Sequence, residues 1–386
     1  MPDLIVAVFG GGLVAGGVVE ILNHLNQTPV TQKIHIKYII VKTLSKPRDF
    51  NIPTDTIVTD DPELALTDPA INVYCELVGG ISFGLRIFKS AIENEKHYVT
   101  ANKAFLAETL QFVQKTRKNK ACLFEGAVCG GIPILGLLRR GLCCDEISQI
   151  RGIVNGSTNF LLDRMTADCV DYAVALAETQ SLGYLEADPS TDVVGHDARH
   201  KIVLLARLAF GVTVRDLQGI PTRGITEVTA RDIQIAGRMQ KVIKLIASAR
   251  KGDTVEVFVW PCLVSKEGSL GKIGLAGNGV LVQGKFVGDQ MFTGAGAGRF
   301  PTANSVVADL MEIARVGDGD YNCFARPEVR MNVSRDIQAV LYVRSGGFKP
   351  SVPCEQVEDG VYITKAETSL MQVVNDLPNA FVALVL

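Results

Sequence analysis

A chain of 386 residues favours two or three domains and is ample for a hydrophobic core. Hydrophobic residues make up 47% and charged ones 21%, which excludes a disordered chain. The net charge of −2 and the lack of any Lys/Arg block leave nucleic-acid and membrane-surface binding without electrostatic support. Nine cysteines without regular spacing, including the adjacent Cys143 and Cys144, form no CxxC pair or Cys/His cluster, and read as reduced thiols. The uncharged run Leu4 to Val19 is shorter than the ~20 residues of a membrane span. It holds five glycines and follows Asp3 rather than a basic region, so it reads as a buried strand entering a glycine turn of a cytoplasmic protein.

Leu4 to Phe9 is a continuous apolar run, as in a strand of a parallel sheet covered on both faces. Gly10-Gly11-Gly12-Leu13-Val14-Ala15 follows, then a helix to about Leu25. This is the G-x-G-x-x-G/A turn in its strand-before, helix-after setting, so Gly10, Gly12, Leu13 and Val14 become dinucleotide-binding candidates. A second strand, Ile34 to Val41, should end at the residue that reads the ribose. No acid stands between Glu20 and Asp49; Lys42, Thr43, Ser45, Lys46 and Arg48 do. Cations there suit a 2′-phosphate, favouring NADP over NAD, although an ordinary solvated loop has the same composition. Asn72 to Gly80 reads as a later strand closing in a glycine turn at Gly79, and His97 to Lys103 as a strand that delivers Asn102 and Lys103 to the ligand side.

Glu125 to Pro133 is a link whose glycines permit close backbone approach or carbonyls turned toward a cation. Ile147 to Val154 reads as a strand and Asn155 to Asn159 as a polar turn before a helix from Phe160 to Met165. That turn fits a carboxylate site and an ordinary helix cap equally well. Thr254 to Val259 and a hairpin from Gly279 to Gln290 add a mixed or antiparallel sheet. Gly294 to Gly298 leads into a helix ending near Arg315.

The most chemically loaded stretch is Gly183 to Lys201, with Glu186, Asp188, Asp192, Asp197 and Lys201. Asp197 to Gly211 has helical apolar spacing, which puts Asp197 and Lys201 on one face, four residues apart. Such a pair is either a solvated surface pair or an acid–lysine couple for an amino-group substrate and a proton transfer.

In that order, the glycine fingerprint, Thr100 to Lys103, Glu125 to Pro133, Gly152 to Asn159, Gly183 to Lys201 and Gly294 to Thr302 resemble the homoserine dehydrogenase family. The resemblance implies an α/β protein. A Rossmann-type dinucleotide domain (1–133, completed by helix 301–316) would accompany a mixed-sheet substrate and dimerisation domain (134–300) and a partial ACT-like segment (335–386). It implies reversible conversion of L-homoserine to L-aspartate 4-semialdehyde with NADP or NAD, in threonine, methionine and isoleucine biosynthesis. Lys201 then matches the proton donor, assisted by Asp192, and Lys103 lies between cofactor and substrate. Glu186, Asp197 and Thr158 match substrate contacts, while Gly183, Gly296 and Gly298 close over the nicotinamide end. Sodium would be held by Glu125 and the carbonyls of Val128, Gly130 and Ile132. The family also implies a homodimer.

A lysine carries its proton at neutral pH and is ready to act as the acid. Residues 335 to 386 read as β-β-α-β, short for a complete regulatory module, and the apolar final strand Ala380 to Leu386 needs a partner within the chain or across a dimer. An aspartate-semialdehyde dehydrogenase would need a histidine beside Cys129, and none of the five histidines has an evident place there.

Overall fold

Short runs rich in β-branched residues become six parallel strands: β1 (Leu4–Phe9), β2 (Ile34–Ile40), β3 (Ile57–Thr59), β4 (Val73–Glu76), β5 (His97–Thr100) and β6 (Cys122–Leu123). Their spatial order is β3-β2-β1-β4-β5-β6. The pairings β1–β2, β1–β4, β2–β3, β4–β5 and β5–β6 are parallel. This is the doubly wound order, and its direction of growth reverses between β1 and β4. Both strands end in glycine turns there. The computed structural model describes residues 3–28, 33–117, 119–186, 188–317, 319, 321, 324 and 326–386; Ala187, inside the acid-rich stretch, lies outside the described residues.

This sheet belongs to the first of two compact units, Met1–Cys144 with Ala295–Pro327. Its helix Leu13–Leu25 buries Ala15, Gly16, Gly17, Val18, Val19 and Leu22. The returning helix Arg299–Val316 packs on that glycine face, with Ala303 and the Arg299 carbonyl against Gly17.

The second unit, Asp145–Gly294 with Glu328–Leu386, is built on one mixed sheet. Its strands are β7 (Ile147–Ile153), β8 (Lys241–Lys251), β9 (Val255–Ser265), β10 (Gly277–Gly284), β11 (Gly288–Ala295), β12 (Val333–Ser334), β13 (Gln338–Arg344), β14 (Cys354–Glu358), β15 (Val361–Thr364), β16 (Thr368–Ser369) and β17 (Phe381–Val385). The order is β11-β10-β7-β8-β9-β17-β13-β15-β14, with β12 beside β9 and β16 beside β13. The long central strands β8 and β9 pair antiparallel along their whole length, from Lys241↔Ser265 to Lys251↔Val255.

Several elements differ from the sequence reading. β8 was not foreseen because Lys244 interrupts its apolar run; the strand tolerates that lysine because helix Gly156–Asp168 supplies partners for it. That helix starts at Gly156 rather than Phe160, since Asn155 caps it by accepting from the Thr158 N–H. β9 continues past Val259 to Ser265, the strand β14 was also missed, and the C-terminal helix is shorter, Leu370–Asp376. The last strand, β17, is paired within the chain, parallel to β9 and antiparallel to β13, and Trp260 Nε1 donates to the Val382 carbonyl at 2.8 Å. Its apolar residues are thereby buried at the centre of the sheet rather than left as an edge. Among the described residues, no helix is long and apolar enough to cross a membrane.

Candidate active site

In the first unit the glycine turn is shaped by sterics. Gly10 has φ +122°, and a Cβ there would stand 3.0 Å from the Leu77 carbonyl oxygen, so the end of β1 and the loop after β4 approach closely only with glycine. Gly12 has open space around it, and the first turn of helix Leu13–Leu25 leaves main-chain N–H groups available to an anion. Leu13, Val78 and Ile81 are large apolar side chains left exposed around these turns, at 58%, 52% and 42%. They offer apolar walls to a flat ring system.

The loop after β4 is held by Glu76, a carboxylate with no exposure at the end of a buried strand. Its Oε1 accepts from the Val78 and Gly79 N–H groups, both at 2.9 Å, and its Oε2 from the Thr100 hydroxyl at 2.7 Å. Asn102 ties in the far side: Nδ2 donates to the Gly80 carbonyl at 2.9 Å, and Oδ1 caps helix Lys103–Thr116. Lys103 is the first residue of that helix and half-buried. Beyond β2, the Arg48 guanidinium donates to the carbonyls of Thr43, Leu44 and Lys46 and so folds the basic loop on itself. Its Nε lies 3.0 Å from where a Gly11 Cβ would be, which sets Arg48 beside the glycine turn, while Lys42 is exposed.

Glu125 is 6% exposed, and its carboxylate accepts from the N–H groups of Leu135 and Gly136. Burial pushes its carboxyl up, opposed by those two N–H groups and by Arg139 and Arg140. Cys129 and Gly130 both have positive φ, which turns the carbonyls of this link away from a regular strand or helix. The Gly130 carbonyl accepts the Ser305 hydroxyl at 2.6 Å and keeps a second lone pair. The donors offered by Glu125, Val128, Gly130 and Ile132 are all oxygens, which suits a hard cation and not zinc.

The second unit gathers the acid-rich stretch around Asn155. Gly195, at φ +89°, starts helix His196–Phe210, whose first two turns carry Asp197 and Lys201. Lys201 Nζ lies 2.7 Å from Asp197 Oδ2 and donates to the Val154 carbonyl at 2.6 Å. The Asn155 amide donates to Asp192 Oδ1 at 2.6 Å and to Asp197 Oδ2 at 2.9 Å, so one side chain bridges two carboxylates. Asp197 and Lys201 are 4% and 8% exposed, which removes the solvated-surface reading of this pair. Thr158 is buried at 1%, with its hydroxyl donating to Asn155, while Ser157 donates to the Tyr184 carbonyl at 2.6 Å. Glu186 and Gly183 are exposed on the loop before this cluster.

A buried lysine held by a carboxylate and a carbonyl, with a second carboxylate locked beside it, is an arrangement for passing a proton to an oxygen of a cationic substrate. The profile of the homoserine dehydrogenase family matches residues 133–311. A homoserine dehydrogenase of Bacillus subtilis is 38% identical over 359 residues, covering 89% of this chain and 81% of its own. The chain belongs to the homoserine dehydrogenase family. It is thereby an oxidoreductase acting on a CH–OH group. A homoserine dehydrogenase of Synechocystis is 40% identical over 319 residues, covering 81% of this chain and 73% of its own. Among solved structures, a homoserine dehydrogenase of Thiobacillus denitrificans superposes with a TM-score of 0.90 at 29% identity, covering 100% of this chain and 99% of that one. One of Staphylococcus aureus gives 0.79 at 29% identity with the same coverage.

As a homoserine dehydrogenase family member, the chain brings Asn155, Asp192, Asp197 and Lys201 together in its second unit, and the glycine turn, Gly79, Asn102 and Arg48 at one end of the sheet of its first. Sequence reasoning missed Glu76 and the bridging role of Asn155. An acid inside an apolar strand that runs into Gly79-Gly80 was the available signal for Glu76. For Asn155 there was no local signal, since its partner Asp192 lies 37 residues away.

Proposed function

We propose that the chain interconverts L-homoserine and L-aspartate 4-semialdehyde with NADP, and less readily NAD. The observation that carries this is the buried Lys201–Asp197 pair, joined through Asn155 to Asp192. A bound nicotinamide supplies the hydride chemistry. Gly10, Gly12, Leu13 and Val14 would receive the pyrophosphate, Lys42 and Arg48 the 2′-phosphate, and Gly79, Asn102 and Lys103 the nicotinamide side. Gly183, Gly296 and Gly298 would border the same end.

Lys201 gives its proton to the aldehyde oxygen during reduction and takes one from the hydroxyl during oxidation. The Val154 carbonyl and Asp197 aim the ammonium, and Asn155 keeps Asp192 and Asp197 from drifting apart by mutual repulsion. Glu186 provides an anionic partner for the substrate ammonium, Asp197 a further acid beside it, and Thr158 backs the site through Asn155. Glu125, Val128, Gly130 and Ile132 would hold a sodium ion, which offsets the buried charge of Glu125. Dimerisation, a cytoplasmic location and a place in threonine, methionine and isoleucine biosynthesis complete the reading.

The test is the pH profile of homoserine oxidation. The rate should rise from pH 7 to 10 as Lys201 becomes able to accept a proton, and Lys201→Ala should lower kcat by about 100-fold or more while leaving NADPH binding intact. A flat profile, or an active Lys201→Ala, refutes the role of the lysine.

A further inference from the structure

One buried amide beside the lysine cluster has no structural use. Asn278, in β10, is 1% exposed, and neither its Oδ1 nor its Nδ2 has a hydrogen-bond partner among the described residues. Buried amides are almost always satisfied, so an orphaned pair of polar atoms points to a ligand or a bound water.

Register places Asn278 on the catalytic face of the sheet. Val280 stands opposite Gly152, Gly152 opposite Ala247, and Ala247 opposite Val259, so these four share one face. Val259 faces the start of the lysine-bearing helix, with its Cγ1 3.1 Å from where a Gly195 Cβ would be. Asn278, two residues from Val280, points to that same face. Gly279 pairs with Ile153, so one step along Asn278 lies across from Val154, whose carbonyl holds Lys201.

Asn278 also abuts the N-terminus of helix Gly156–Asp168. A Cβ on Gly156 would lie 3.4 Å from Asn278 Oδ1 and 2.5 Å from the Ala276 carbonyl oxygen, so glycine is needed for this approach. Asn155 caps the Thr158 N–H, and the remaining N–H groups of the first turn carry the positive end of the helix dipole. The charged groups of the cluster are the acids Asp192 and Asp197 and the cation Lys201. Repulsion from the two acids turns an anionic substrate group away from them and toward this helix end.

We propose that Asn278 reads the α-carboxylate of the substrate. Its Nδ2 donates to one ordered water, which bridges to a carboxylate oxygen held at the first turn of helix Gly156–Asp168. A side chain only 1% exposed is out of direct reach of most bound molecules, and a bridging water makes nearly as good a hydrogen bond as a direct contact. Asn278 is thus a specificity residue acting through that water, and it makes the enzyme select an amino acid over the corresponding amine. This rests on the reading of homoserine as substrate.

The experiment compares wild type with Asn278→Asp, which keeps shape but turns the donor into an anion. KM for L-homoserine is measured beside the inhibition constant of 3-aminopropan-1-ol, which lacks only the carboxylate and needs only to bind. Loss of a hydrogen bond to a charged group should raise KM about tenfold or more, with kcat and the inhibition constant within about threefold. A parallel rise of KM and inhibition constant, or an unchanged KM, overturns the proposal. Asn278→Ala, which removes the donor without adding a charge, gives the same comparison where the carboxylate variant does not fold, with the KM rise again confined to homoserine. Wild type that leaves homoserine untouched would instead defeat the functional reading.

Discussion

Asn155 is the side chain on which the lysine cluster depends, and two substitutions separate its roles. Its amide donates at 2.6 and 2.9 Å to Asp192 and Asp197, while its oxygen caps helix Gly156–Asp168 through Thr158 at 2.9 Å. Hydrogen bonds to charged groups contribute about 1.5–3 kcal/mol each and an N-cap about 1 kcal/mol, which bounds Asn155→Ala at about 7 kcal/mol. Lys201 continues to hold Asp197 in the variant, so neighbouring contributions are not additive and about 3–4 kcal/mol is expected. Asn155→Asp keeps the cap but faces two carboxylates with a third.

The new carboxyl would then have a folded pKa above its unfolded value of about 3.9. Stability relative to wild type is therefore lost as pH rises through the folded pKa and recovered as pH falls. Urea unfolding followed by circular dichroism at pH 7.5 and 5.5 should show the alanine variant equally weakened at both. The aspartate variant should be weakened more at 7.5 than at 5.5. An aspartate variant as stable as wild type at pH 7.5 would refute the bridge between two anions.

Lys244, whose Nζ reaches Asn159 Oδ1 and the Ile273 carbonyl, is pulled down by burial from 10.5 to about 8. Between those values the unfolded chain binds more protons than the folded one, so stability should climb with pH over that window by up to about 3 kcal/mol, and Lys244→Met should flatten the climb in urea midpoints. Glu76→Ala frees two N–H groups of the loop after β4 and the Thr100 hydroxyl at the end of β5; the cofactor KM should rise about tenfold while that for homoserine stays within about threefold. Arg48→Ala should lower the kcat/KM ratio of NADP to NAD about tenfold or more, because both the guanidinium and the loop that it folds are lost.

The parts legible in the sequence are those set by local pattern. The run Leu4 to Phe9 and the turn at Gly10 announce β1 and its nucleotide end, because tight turns demand glycine at fixed offsets. The spacing of Asp197 and Lys201 announces their meeting, because a helix brings residues four apart together. What escaped depends on partners remote in sequence. β8 is a strand because it lies between β7 and β9, and the lysine at 244 that hides it is satisfied by Asn159, 85 residues earlier. Asn155 and Glu76 likewise earn their roles from groups that the fold brings to them. Asn278 carried no signal of its own in a stretch of glycines.

The most direct test of the account is absorbance at 340 nm with L-homoserine, run separately with NADP+ and NAD+ at alkaline pH. The account predicts growth of the reduced cofactor with both and a faster rate with NADP+. Folded protein that binds NADPH yet gives no signal with either would contradict it.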